Sequence, residues 1–338
     1  MIRTALPVLL AALCGGALAA PSHEDECGAL AGHPYPEAHH ASRSGQAGLA
    51  GCRPVALYYG SDAAPDHVRA RQCALAAPGD DQPFREDRGV LMMIYANGLG
   101  VPRDYTLARK AACEAGGAPA EIEGRLAHLG EMAAGHAGPA PTIDVCDDIT
   151  SGYMGGWCAA LSSERAERER AADFARLVAP WSARERQALA ALETRARDFI
   201  ARRSTEEVDL SGTLRAAFTI EEEERQLADF RAALAGFERG ALPGKAGAGA
   251  GADADAEHAR LDARLNAVYR RIRGLPASGF TTIRFAGIQQ TQRAWLAYRE
   301  AWVAFGKVKY PQVPANAWRA WLTRTRIAML EALEKQLR

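Results

Sequence analysis

Gly89-Val90-Leu91-Met92-Met93-Ile94-Tyr95-Ala96-Asn97-Gly98-Leu99-Gly100-Val101-Pro102-Arg103-Asp104-Tyr105 reads as one helix, a glycine-formed turn and the start of a second helix. Gly98 and Gly100 supply the left-handed or close-approach backbone that ends a helix, and Pro102 fixes φ ahead of the next one. Before the turn, Val90, Met93, Ile94 and Asn97 fall at helical spacing. After it, Leu107, Ala108, Ala111, Ala112 and Ala115 make a small-residue stripe that lets two helices approach closely. The stretch predicts an αα-hairpin.

Tyr95, Gly98, Gly100, Val101, Asp104, Tyr105 and Ala108 stand where the Sel-one-like repeats, relatives of the tetratricopeptide repeat, carry their pattern, and the segment resembles that family. Arrays of this kind need about three units to bury a continuous core. Only one unit is clear, with Pro65 to Ala77 and Pro119 to Met132 as degenerate flanks, so the repeat-like region spans 63–135. The resemblance implies a scaffold that binds other proteins.

The N-terminus has a basic start at Arg3, an apolar run from Ala5 to Leu13 and small residues ending at Ala17-Leu18-Ala19, the pattern of a secretory signal peptide over 1–19. Cys14 raises the lipoprotein alternative, against which Leu13 is large for the small residue such a site wants. No later apolar run approaches the roughly 20 residues that cross a bilayer. The chain is therefore expected in the periplasm or secreted. Losing Arg3 with the signal leaves 40 basic against 41 acidic residues, a balance that argues against non-specific binding to nucleic acid or anionic membrane.

Six cysteines then remain, an even count that favours disulfides in an oxidising compartment. Sequence locality suggests Cys27–Cys52 in an irregular arm (20–62), Cys73–Cys113 across the helix pair, and Cys146–Cys158 around a turn. The absence of any Cys-x-x-Cys pair argues against zinc. His33, His39 and His40 beside Glu37 read as surface histidines, so neither metal nor cofactor is expected.

Gly135, Gly138, Pro139 and Pro141 mark a linker, after which the chain turns strongly helical. A first block covers 146–239, a low-complexity Gly/Ala tether covers 241–254, and a second block covers 255–338. Leu261, Leu265, Val268, Tyr269 and Ile272 share one helical face in the second block. A long helix from Thr281 to about Phe305 and a last one carrying Trp318, Leu322, Ile327, Leu330 and Leu333 follow. Short loops between three helices imply an antiparallel bundle, and the first block repeats the layout. The expected fold is all-α and disulfide-stapled, a helix-pair repeat segment followed by two three-helix bundles.

Gln289-Gln290-Thr291-Gln292-Arg293-Ala294-Trp295-Leu296-Ala297-Tyr298-Arg299-Glu300-Ala301-Trp302, with Leu261 to Tyr269 upstream and Thr323 or Thr325, Arg326, Leu330 and Leu333 downstream, resembles the signature of the LprI-type lysozyme inhibitor domain. The family's paired cysteines ahead of its first helix are missing from this block and occur instead as Cys146 and Cys158. Either the domain was duplicated and each copy lost a different part, or one copy was split by a helical insertion; repeated helix lengths favour duplication over 146–338. The resemblance implies a lysozyme inhibitor with no catalysis of its own.

Trp295, Tyr298, Trp302 and Phe305 sit at helical spacing, so they serve either as bundle core or as interface anchors. Arg293 and Arg299 either reach a partner's carboxylate or form local ion pairs. Occupying a cleft with two catalytic carboxylates asks for a protruding basic or hydroxyl-bearing loop, which Gly306-Lys307-Val308-Lys309-Tyr310-Pro311 supplies. The candidate binding residues are thus Arg293, Trp295, Tyr298, Arg299, Trp302, Lys307, Lys309 and Tyr310. Glu221 to Glu224 reads as a solvated face in the first turns of a helix. With no nucleophile elbow, phosphate loop or His-Glu-x-x-His, an enzyme is not expected. Two functions remain: an exported protein that binds lysozyme, or an envelope adaptor that holds partner proteins on the repeat surface near Tyr95 and Tyr105.

Overall fold

The computed structural model describes residues 22–61, 63–79, 81–135, 140–244, 250–276 and 281–338; the segment 1–19 expected to be a signal peptide lies outside them, as does part of the Gly/Ala tether. The described residues are all-helical, with no strand among them. They divide into two compact units, one of the residues up to Tyr58 with Asp66–Val145, the other of Tyr59–Pro65 with Cys146–Arg338.

In the first unit, α1 (His23–Ala31), α2 (Arg43–Gln46) and α3 (Pro54–Tyr59) precede a run of four helices, α4 (His67–Ala76), α5 (Glu86–Asn97), α6 (Tyr105–Ala115) and α7 (Pro119–Ala134). The arm is less irregular than its composition suggests, because Ser22 and Asp25 close a capping box on α1. Each of the four long helices packs on its neighbours in sequence. Central α5 is buried from Gly89 to Ala96, and the Leu107–Ala115 stripe of α6 is buried as its spacing predicts. Gly98 adopts φ +69°, and its N–H returns to the Ile94 carbonyl, so α5 ends in a left-handed cap. Asp104 then caps α6 by accepting from the Leu107 N–H at 2.9 Å.

Two of the expected disulfides are corrected. Cys27 is joined to Cys113 and Cys52 to Cys73, rather than Cys27 to Cys52 and Cys73 to Cys113. The cause is the course of the arm: α1 packs against α6 and α7, carrying Cys27 to the end of α6, while Cys52 follows the buried Leu49 and faces α4. Locality in sequence fails once helices pack. Cys146 is joined to Cys158, at the start of the second unit.

The second unit contains α8 (Gly152–Val178), α9 (Ala183–Glu206), α10 (Arg215–Glu238), α11 (Ala250–Arg273), α12 (Phe285–Lys309) and α13 (Ala315–Leu337). Helix α11 begins inside the Gly/Ala stretch: alanine is the best helix former, and Asp253 in the first turn suits the helix dipole. Residue pairings fix the directions. Ser163–Glu224 and Glu167–Arg231 make α8 and α10 parallel, and Asp255–Asn316, Arg264–Glu331 and Arg271–Glu334 do the same for α11 and α13. Phe199–Tyr298 and Glu185–Lys309 run α9 antiparallel to α12.

The blocks on either side of the tether do not keep separate cores. Trp181, Phe199, Phe230 and Phe237 from the first block and Trp295, Trp302, Phe305 and Trp318 from the second form one hydrophobic cluster. Trp302 lies at its centre, stacked on Trp318 at 5.9 Å between ring centroids and met edge-on by Phe237 at 5.7 Å.

Candidate protein-binding surface

Helix α12 carries six of the eight residues singled out above as binding candidates by Lys307, and α12 also takes in Lys309, so the expected Gly306–Pro311 loop is mostly helix. Trp295 and Trp302 are fully buried, and Trp302 is core rather than anchor. Arg299 lies over the Trp295 ring at 5.2 Å and pairs with Glu300 at 3.1 Å, which is the local reading of that cation. Tyr298 is half-buried and stacked on Phe199 at 5.3 Å, and burial pushes its hydroxyl well above the usual tyrosine range.

The last two residues are also turned inward. Lys309 reaches Glu185 at 3.1 Å and Glu238 at 3.7 Å, with its ammonium 4.6 Å from the Trp181 ring centroid. Tyr310 is buried and donates its hydroxyl to Glu238; burial and that carboxylate both raise its pKa. Of the eight, Arg293 and Lys307 alone are exposed, and neither has a hydrogen bond or ion pair among the described residues. They belong to a stripe of α12 with Leu296, Ala297, Glu300 and Ala304, all exposed. Leu296, 41% exposed, is one of few large apolar side chains so open to water.

Sequence reasoning missed the neighbours of this stripe. Arg270 and Arg273, in the last turn of α11, are exposed and unpaired among the described residues. Tyr269 directly precedes Arg270 in the helix and is half-buried, its ring centroid 5.3 Å from that of Phe285. Burial raises the Tyr269 hydroxyl, while the nearby charges of Arg273, Arg293 and Arg326 act on it in the opposite sense. Sequence offered a signal in Arg270-Arg271-Ile272-Arg273 at a helix C-terminus, where cations are favoured. Such guanidinium groups can take carboxylates bidentately.

Arg326 is completely buried and forked on Glu207, at 2.7 Å from Nη1 to Oε2 and 2.5 Å from Nη2 to Oε1; its Nε donates to Gln292 at 2.9 Å. Arg203 joins the same carboxylate at 2.9 Å and reaches Glu222 at 2.6 Å. The Thr-x-x-Arg element at Thr323 and Arg326 is therefore structural. The reading of Glu221 to Glu224 as a solvated face is corrected too: Glu222 holds Arg203, Glu223 accepts from Ser204, and Glu224 accepts from Ser163 and Arg170. The first turns of α10 pack against α8 and α9, which periodicity of one helix cannot show.

No helix among the described residues is long and apolar enough to cross a membrane, and no group of metal-ligating side chains lies among them. Three disulfides fit an extracytoplasmic protein. No curated protein and no solved structure matches the chain. The model of one family, lysozyme inhibitor LprI, matches residues 245–330, which take in α11, α12 and most of α13, so the part of the chain that carries these exposed arginines is similar to a family of inhibitors rather than enzymes.

Proposed function

We propose that the chain is an exported lysozyme inhibitor that acts by occluding the lysozyme cleft without covalent chemistry. The observation that carries this reading is the match of the inhibitor family to residues 245–330. The physical support is the exposed pair Arg273 and Arg293 near Tyr269, with Arg270 exposed on the same last turn of α11: a glycosidase cleft presents two carboxylates, and exposed guanidinium groups near an aromatic suit that target. Lys307 and Leu296 extend the surface along α12. The antiparallel packing of α9 on α12, with similar helix lengths in each set of three, supports duplication of the domain over 146–338.

The test is lysis of a peptidoglycan-containing cell suspension by c-type lysozyme, with the oxidised protein in stoichiometric excess. Lysis should slow, and Arg273→Ala with Arg293→Ala should weaken inhibition by about 10- to 100-fold, or roughly 1.4–2.7 kcal/mol. Undiminished lysis with a folded protein overturns the reading. The alternative, an envelope adaptor that binds partners on the helix pair, draws on the face of Tyr95, which is covered by the chain itself.

A further inference from the structure

The helix pair has an occupant. Between Cys27 and Leu49 no residue of the arm is buried, yet two side chains of the stretch 33–41, which is irregular apart from a 3-10 turn at Glu37–His39, turn inward onto α4, α5 and α6. Tyr35 stacks on Tyr95 with ring centroids 5.9 Å apart and donates its hydroxyl to Glu114 at 2.7 Å. Lys110 sits 5.3 Å from the Tyr35 ring centroid and closes the slot. Four residues on, His39 meets the Tyr95 hydroxyl at 3.1 Å from Nδ1, and its carbonyl accepts from Arg71 Nε at 3.3 Å. Burial and the Arg71 charge lower the His39 pKa, which favours the neutral ring. The flanking residues His33, Pro34, Pro36, Glu37 and Ala38 are exposed.

This is the pattern of a bound peptide rather than of a core segment: two inward side chains set apart by a single 3-10 turn, one main-chain carbonyl held, and solvent on the far side. The arm is fastened outside the slot by Cys27–Cys113 and Cys52–Cys73, so its local concentration is high whatever its intrinsic affinity. We infer that the Tyr95 face is a peptide-binding groove for a tyrosine-bearing segment of a partner protein, and that residues 33–41 occupy it in cis as a built-in competitor. The inference is independent of whether the second unit binds lysozyme.

The probe is a fluorescently labelled peptide of sequence His33 to Ala41, followed by anisotropy with the full oxidised chain. Tethering at millimolar effective concentration should keep the wild type about 100-fold weaker for this peptide than the Tyr35→Ala chain, whose slot is vacated. The peptide with alanine in place of its tyrosine should not bind, and Arg71→Ala added to Tyr35→Ala should abolish binding. A Tyr35→Ala chain that keeps its helicity and three disulfides but does not take the peptide overturns the groove. Hydrogen exchange on the wild type gives a second reading that needs no variant. Amides of 33–41 should open far more readily than those of α5; protection equal to α5 makes the arm part of the core and ends the proposal.

Discussion

The guanidinium of Arg326 has no exposed surface, and its partner Glu207 lies at the far end of α9. A buried ion pair adds little over apolar packing, but removing one member strands the other. Glu207→Gln should therefore cost about 3–5 kcal/mol in urea denaturation, and pairing Glu207→Leu with Arg326→Met should recover most of that loss. A surface-pair cost near 0.5 kcal/mol would contradict this account. Glu185 makes the pH-dependent contribution. Hydrogen bonds from the Ser182 hydroxyl and backbone, then Lys309, pull its carboxyl down to about 2 from the ordinary 4.5. Its folded-state value is depressed, so its stabilisation is present above the ordinary value and drains away as pH falls from 4.5 towards 2. Glu185→Gln should lower the urea midpoint at pH 7 and have little effect at pH 2, where the wild-type carboxyl is already about half protonated and most of its contribution has gone.

At the scale of elements, the crossing of α12 and α13 depends on a missing side chain. A Cβ on Gly306 would lie 2.4 Å from the Trp318 indole nitrogen, and Trp318 is locked between Trp302 and Phe237. Gly306→Ala gains up to about 1 kcal/mol of helix propensity but overpacks a rigid ring, at about 1–3 kcal/mol, so a net loss is expected. Gly130 in α7 is the opposite case, with nothing within 4 Å of the added carbon. Gly130→Ala should stabilise by roughly 0.5–1 kcal/mol, and the contrast in sign, read by thermal melting of the two variants, checks the packing argument.

Across the whole molecule, all six tryptophans lie at or after Trp157 and thus in the second unit, so their emission reports on that unit alone. Because Trp181 and Trp318 share one core, urea should produce a single emission transition rather than one for each block. Reduction should separate the units. The bonds Cys27–Cys113 and Cys52–Cys73 span 86 and 21 residues of the first unit, and such closures contribute on the order of 3–5 kcal/mol each. Dithiothreitol should therefore lower the far-UV helical signal at denaturant concentrations where tryptophan emission is still native. Two emission transitions, or loss of both signals together, would count against the shared core or the division.

Local physics was legible in the chain itself. Gly98 and Asp104 act through their own backbone and the next turn, and the Leu107–Ala115 stripe through 3.6-residue spacing, so the all-helical class and the hairpin could be read directly. The Arg326 partnership was half legible, since a charge on the same helical face as Leu322, Leu330 and Leu333 demands a partner without naming Glu207. Which cysteines joined, which tryptophan faced inward and which arginines stayed free depended on how whole helices lay against one another. Those choices were made by burying apolar faces from segments more than a hundred residues apart, and no spacing within a single segment encodes the angle or direction at which another will arrive.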